Sequence, residues 1–239
     1  MTNKLLTENE TQTSLSKTEI LWQELYQNNL GAPKFPNSHA VRWVFGHFSK
    51  EGNSPIKLLD MGTGAGRHAI MMAKEGFNVT GTDHSKTAVE NAKTWCEKEG
   101  LNIDFQIASA EKQPFINNSF DGILCYGVLY YLSYIKFKLA VKEIFRLLKP
   151  LGATFVMVKN DLDVRKNKGI CVTPHQYRII KPDKGWSWNN ELGMELTLLP
   201  KSEIIEIFSN FSELRIEQTT STLGNGKYLE SAWLIYARK

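Results

Sequence analysis

The sequence predicts an α/β fold built on a mostly parallel sheet, and three observations predict it. From residue 56 onward, short apolar strand candidates alternate with amphipathic helices, the mark of βαβ units. A glycine-rich turn, Gly62-Thr63-Gly64-Ala65-Gly66, joins the first of those strands directly to a helix. Two late strands joined by Gly224-Asn225-Gly226 read as an antiparallel pair at the sheet's edge.

Residues 1–15 are polar and rich in Thr, Asn and Glu, which predicts a flexible tail. Ser16-Lys17-Thr18-Glu19 is a capping box, and Ile20, Leu21 and Leu25 continue it at helical spacing. After the breakers Pro33 and Pro36, a second helix over 39–48 places Val41, Val44, Phe45 and Phe48 on one face. Strands are then expected at 57–61, 78–82, 103–107, 121–125 and 153–158, with helices at 67–75, 85–99 and 136–148 between them. Lys149-Pro150-Leu151-Gly152 reads as a helix stop and turn. The alternation lapses after Asn160 and resumes with a helix near Pro200 and strands at 213–219 and 231–237. The chain is therefore one domain, 16–239, with N-terminal helices in 16–50 and an insertion at 160–200. That insertion holds His175, Tyr177, Arg178, Trp186 and Trp188, and long irregular segments in compact domains commonly serve as lids or binding loops. A hairpin extension packed on the sheet edge is the alternative.

At 239 residues, 42% hydrophobic and 23% charged, the chain has the composition of an ordinary globular domain, which excludes disordered and fibrous classes. The 29 basic residues against 25 acidic ones are scattered, so the net charge of +4 marks no nucleic-acid partner. Cys96, Cys125 and Cys171 are odd in number and far apart, and suggest neither a disulfide framework nor a metal site. The N-terminus lacks the basic and apolar regions of a secretory signal, and no apolar run reaches the ~18 residues that would span a membrane. A cytoplasmic protein is expected; its oligomeric state is not legible.

The glycines suit a strand-to-helix turn where a ligand lies against bare backbone at a helix N-terminus. Their spacing argues against a dinucleotide site, which would want glycine at position 67, where this chain has Arg67. Asp60 stands just ahead of the loop. The second strand ends in Asp83, where a carboxylate can accept both hydroxyls of a ribose; as a strand-end group it should matter to a ligand more than to the core. Ser109-Ala110-Glu111 follows the third strand, and Cys125-Tyr126-Gly127 ends the fourth.

With these motifs in this order, the run from about 58 to 158 resembles the core of the class I S-adenosylmethionine-dependent methyltransferases, specifically the bacterial small-molecule group; LLDMGTGAGRHAIMMAKEGFNVTGTDHS is the most specific stretch. The resemblance implies a Rossmann-like seven-stranded sheet with helices on both faces and an antiparallel last strand. It implies S-adenosyl-L-methionine as cofactor, with Asp60, Gly62, Gly64 and Gly66 lining its methionine moiety. Thr63 stands where many relatives carry Cys or Ser. Asp83 would bind the ribose, His84 would lie beside the adenine, Ala110 and Glu111 would lie at its edge, and Cys125, Tyr126 and Gly127 would face the cofactor. Cys125 itself reads as a small hydrophobe rather than a nucleophile.

The implied reaction is an SN2 methyl transfer to a small-molecule acceptor, with the insertion covering the acceptor site. Tyr130 and Tyr131 either shape the acceptor pocket or pack at the head of the next helix, and with His175 they are the candidates for a base. Cys125-Tyr126-Gly127-Val128 departs from the Asn/Asp-Pro-Pro-aromatic run of enzymes that methylate nucleic-acid bases. A non-catalytic cofactor-binding module, and more remotely a dinucleotide-dependent oxidoreductase, are the alternatives.

Overall fold

The computed structural model describes residues 15–28, 30, 32–48, 55–181 and 190–239. Trp186 and Trp188, and all of the polar tail except Leu15, lie outside the described residues. The main sheet has seven strands in the order β3-β2-β1-β4-β5-β10-β9. These are β1 Lys57–Met61, β2 Asn78–Asp83, β3 Asp104–Ile107, β4 Phe120–Tyr126, β5 Leu148–Lys159, β9 Glu213–Leu223 and β10 Tyr228–Arg238. β10 runs antiparallel to both β5 and β9 while the first five strands are parallel, so the last strand is the reversed one.

The period of two along each strand builds a core on both faces of the sheet. Leu59, Ile123 and Val156 pack against α5 Tyr134–Leu147 and α7 Lys201–Ile207. Their neighbours Leu58, Leu124 and Phe155 face the other way, against α2 Ser38–His47, α3 Arg67–Lys74 and α4 Lys86–Lys98. α2 buries Ala40, Trp43 and Val44, whereas Phe45 is exposed; the buried face is turned by one residue from the expected one.

β5 begins at Leu148, earlier than expected, because Leu148 pairs with Phe120 before a register shift lets Gly122 pair with Ala153. The expected turn survives inside the strand as Leu151 at φ +66°. The insertion forms α6 Val164–Lys168 and a separate antiparallel sheet of β6 Gly169–Thr173, β7 Gln176–Ile179 and β8 Glu195–Thr197. Its Ile179, Met194 and Leu196 join the core beside α5. None of the described helices is long and apolar enough to cross a membrane.

Candidate functional site

α1 Lys17–Gln27 lies over the carboxyl end of the parallel strands and closes a cavity there. Its volume, about 260 Å³, is many times the ~10–15 Å³ that a single water needs, so it is a ligand-sized space.

The glycine loop forms one wall. Gly62 and Gly64 have φ of +74° and +56°, a region costly to any side chain. A Cβ on Gly62 would collide with Val128, and one on Gly64 would lie 2.7 Å from the Tyr26 hydroxyl. The loop is drawn onto β2 by the Gly62 and Thr63 N–H groups, which donate to the Thr82 carbonyl at 2.7 and 2.8 Å. Asp60 acts from behind: its Oδ2 accepts from Thr63 Oγ1 at 2.7 Å and from the Ala69 N–H at 3.1 Å. It is fully buried, does not line the cavity, and has its pKa pushed up to about 6 by that burial. Gly66 caps α3 in a left-handed conformation against Ala92 and also lies behind the wall.

Asp83 does line the cavity, with both oxygens engaged by backbone. Oδ2 accepts from the Gly64 N–H and Oδ1 from the Ser85 N–H, each at 2.9 Å. Each oxygen keeps a further lone pair for a ligand donor. His84 Nδ1 stands 3.4 Å from Asp83 Oδ1, and its Nε2 is buried with no partner among the described residues. Beside it, Glu111 Oε1 pairs with Lys136 at 3.0 Å while Oε2 is buried and unpartnered. Two orphaned polar atoms in one cavity wall are unusual in a folded protein and mark where a ligand's polar groups belong.

Gly62, Thr63, Gly64, Asp83, His84, Ala110, Glu111, Tyr126, Gly127, Tyr130 and Tyr131 all line the cavity; Asp60, Gly66, Cys125 and His175 do not. Cys125 is sealed in the core, where burial and the Asp60 charge push its thiol up and keep it protonated. His175 sits at φ +64° in the turn between β6 and β7, with Nε2 4.0 Å from Glu203. Arg178 pairs with Glu195 on the small sheet. None of the described residues of the insertion lines the cavity.

Among the described residues the cavity is covered by α1, through Thr18, Glu19, Trp22 and Tyr26. The capping box located that helix, but no local signal said which face would meet a ligand. His68, unremarked in the sequence, lines the cavity too: its Nε2 accepts from the Asn37 N–H at 3.1 Å and burial holds its pKa down to about 3. It is therefore neutral, with the proton on Nδ1. Arg67, noted only as a missing glycine, places its guanidinium 5.7 Å from the Tyr126 ring centre.

Also in the lining, Tyr130 donates to the Tyr131 hydroxyl at 3.0 Å, and Tyr131 donates to Glu191 Oε1 at 2.7 Å. Burial, reinforced by the Glu191 charge, pushes both phenols above their ordinary value, so neither is a phenolate near neutral pH.

A methyltransferase-domain family matches residues 58–152. An uncharacterised protein of Haemophilus influenzae is 30% identical over 194 residues, covering 74% of this chain and 76% of that one. A ubiquinone biosynthesis O-methyltransferase of Pelagibacter ubique is 37% identical over 105 residues, spanning 44% of this chain but only 42% of its own length. Among solved structures, an S-adenosylmethionine-dependent methyltransferase of Methanosarcina mazei is similar, with TM-score 0.64 and 19% identity over 82% of this chain and 96% of that one; at that identity the likeness is one of fold.

Proposed function

The chain belongs to the class I S-adenosylmethionine-dependent methyltransferases, and from that premise we propose that it transfers the methyl group to a small-molecule acceptor by an SN2 step. The observation that carries this reading is the single cavity running from Asp83 and the glycine loop to Tyr130 and Tyr131. Its lining combines groups a nucleoside wants, Asp83, His84 and Glu111, with apolar walls from Trp22, Val128, Tyr131 and Leu132, which suit a largely apolar acceptor.

The residues present fit the cofactor. Asp83 would accept from the ribose hydroxyls, the orphaned His84 Nε2 and Glu111 Oε2 would meet the base, and the bare backbone at Gly62 and Gly64 would lie along the methionine portion. Arg67 and the Nδ1–H of His68 are available there for its carboxylate. When bound, S-adenosylmethionine supplies a methyl group on a positively charged sulfur, which is already electrophilic. The chain's own contribution is to align the acceptor and to exclude water beneath α1.

The names of several relatives, ubiquinone biosynthesis O-methyltransferases, favour a small acceptor. A cytoplasmic setting is supported by the three free cysteines, of which Cys171 is exposed. The test is incubation with S-adenosylmethionine and a panel of small metabolites, read by mass for S-adenosylhomocysteine and a product 14 Da heavier. Cofactor binding with no turnover on any acceptor would leave a binding module instead.

A further inference from the structure

Glu191 reaches the cavity only through other side chains. It is buried, reaches Tyr131 with Oε1 at 2.7 Å and receives Arg165 Nε on Oε2 at 2.5 Å. Its bond to Tyr131 fixes the direction of the whole chain. Each phenol has one proton to give. Tyr131 gives its proton to the Glu191 carboxylate, so Tyr130 must give its own to Tyr131 across 3.0 Å. What remains at Tyr130 is a lone pair without a committed donor, so its hydroxyl can accept a hydrogen bond and cannot offer one.

Glu191 shares its cation with two other carboxylates. A carboxylate that becomes neutral usually strands its buried cation. Here Arg165 keeps Asp163 Oδ1 at 3.0 Å and Glu230 Oε1 at 3.2 Å, and Lys159 lies 3.2 Å from Asp163 Oδ2. The ion pairs among the described residues join three carboxylates, Asp163, Glu191 and Glu230, to Arg165 and Lys159, so Arg165 keeps carboxylate partners whatever the state of Glu191.

We propose that Tyr130, Tyr131 and Glu191 carry away the acceptor's proton, and that the acceptor is accordingly methylated at an O–H or N–H group. This rests on the methyl-transfer reading above. In the step, the acceptor's heteroatom uses a lone pair to bond the methyl carbon as the carbon–sulfur bond breaks and its electron pair stays on sulfur. The acceptor's proton passes to Tyr130 Oη, that of Tyr130 to Tyr131, and that of Tyr131 to Glu191 Oε1. The products are the methylated acceptor, S-adenosylhomocysteine and a neutral Glu191, which returns its proton to solvent. Tyr130 is the catalytic residue of the three; Tyr131 and Glu191 act through it.

The experiment uses the full chain with S-adenosylmethionine and a panel of phenols, alcohols and amines, set against dimethyl sulfide and iodide, which have no proton to lose. Methylation of an O–H or N–H compound is expected, with kcat in Tyr130→Phe lowered about 100-fold and the Kd for S-adenosylhomocysteine within about twofold of wild type. Tyr131→Phe supplies the readout that a packing role would not move. It frees Tyr130 to donate, so in protein loaded with S-adenosylhomocysteine the wild-type preference for catechol over 1,2-dimethoxybenzene should narrow or reverse. Methylation of dimethyl sulfide or iodide while every O–H and N–H compound fails overturns the proposal. So does wild-type kcat in Tyr130→Phe, or an unchanged preference in Tyr131→Phe. If wild-type protein binds no S-adenosylhomocysteine at all, it is the methyl-transfer reading that fails.

Discussion

Two carboxylates that look alike in the sequence, Asp60 and Asp83, do different work. Asp60 ties Thr63 to the start of α3 and pays for its burial with a pKa raised from 3.8 to about 6. Because the folded state holds its proton more tightly than the unfolded chain, its favourable contribution is full below about pH 4 and is lost as pH rises to about 6. Asp60→Asn should abolish that dependence: relative to the variant, wild type loses on the order of 3 kcal/mol between pH 4 and 7, measurable by urea denaturation at both values. A constant difference would mean that Asp60 is not buried as described.

Asp83 was expected to matter little to the fold, and the backbone bonds to its two oxygens correct that. Asp83→Asn keeps one acceptor oxygen, so it should lower stability by about 1–3 kcal/mol and weaken S-adenosylhomocysteine binding by about 2–3 kcal/mol, roughly 30- to 150-fold. Calorimetry beside thermal melting separates the two effects, and unchanged affinity would remove Asp83 from the ribose site. Residues such as Asp83 and Glu111 were legible because the strand that ends beside each fixes its position. Glu191 was not, since its meeting with Tyr131 joins positions sixty residues apart.

At the scale of elements, strand and helix periodicity located the β1–α3–β2–α4 run within a residue or two, because each element buries a face of its own. The insertion was less legible. Its strands are three to five residues long and turn at Pro174-His175, too short for periodicity to register. α1 shows its own start and stop in the sequence, but its landing place over the cavity is set by Thr18, whose hydroxyl accepts the Glu195 N–H at 3.0 Å, and by Lys136, 3.4 Å from Glu19. With four of its side chains in the cavity wall, α1 should gain contacts when the site fills. Hydrogen exchange is therefore expected to slow at 17–27 on saturation with S-adenosylhomocysteine, and to change little at 169–181. Protection of the insertion with none in α1 would make the insertion the cover.

For the whole molecule, the sheet order, the reversed last strand and the position of the ligand cavity form one argument. A parallel sheet that changes winding direction at β1 and β4 opens a crevice at the carboxyl ends of those strands, and Gly62, Asp83 and Tyr126 all stand at that edge. A ligand seated there touches the glycine loop after β1, β2, β4 and α1 at once, so it should stabilise the fold as a unit, by about 2.7 kcal/mol at a hundredfold excess over Kd. The most direct measurement is calorimetric titration of the full chain with S-adenosylhomocysteine and, separately, with NADH. One mole of S-adenosylhomocysteine bound per chain is expected, with no heat from NADH; saturable NADH binding with none for S-adenosylhomocysteine would overturn the cofactor assignment.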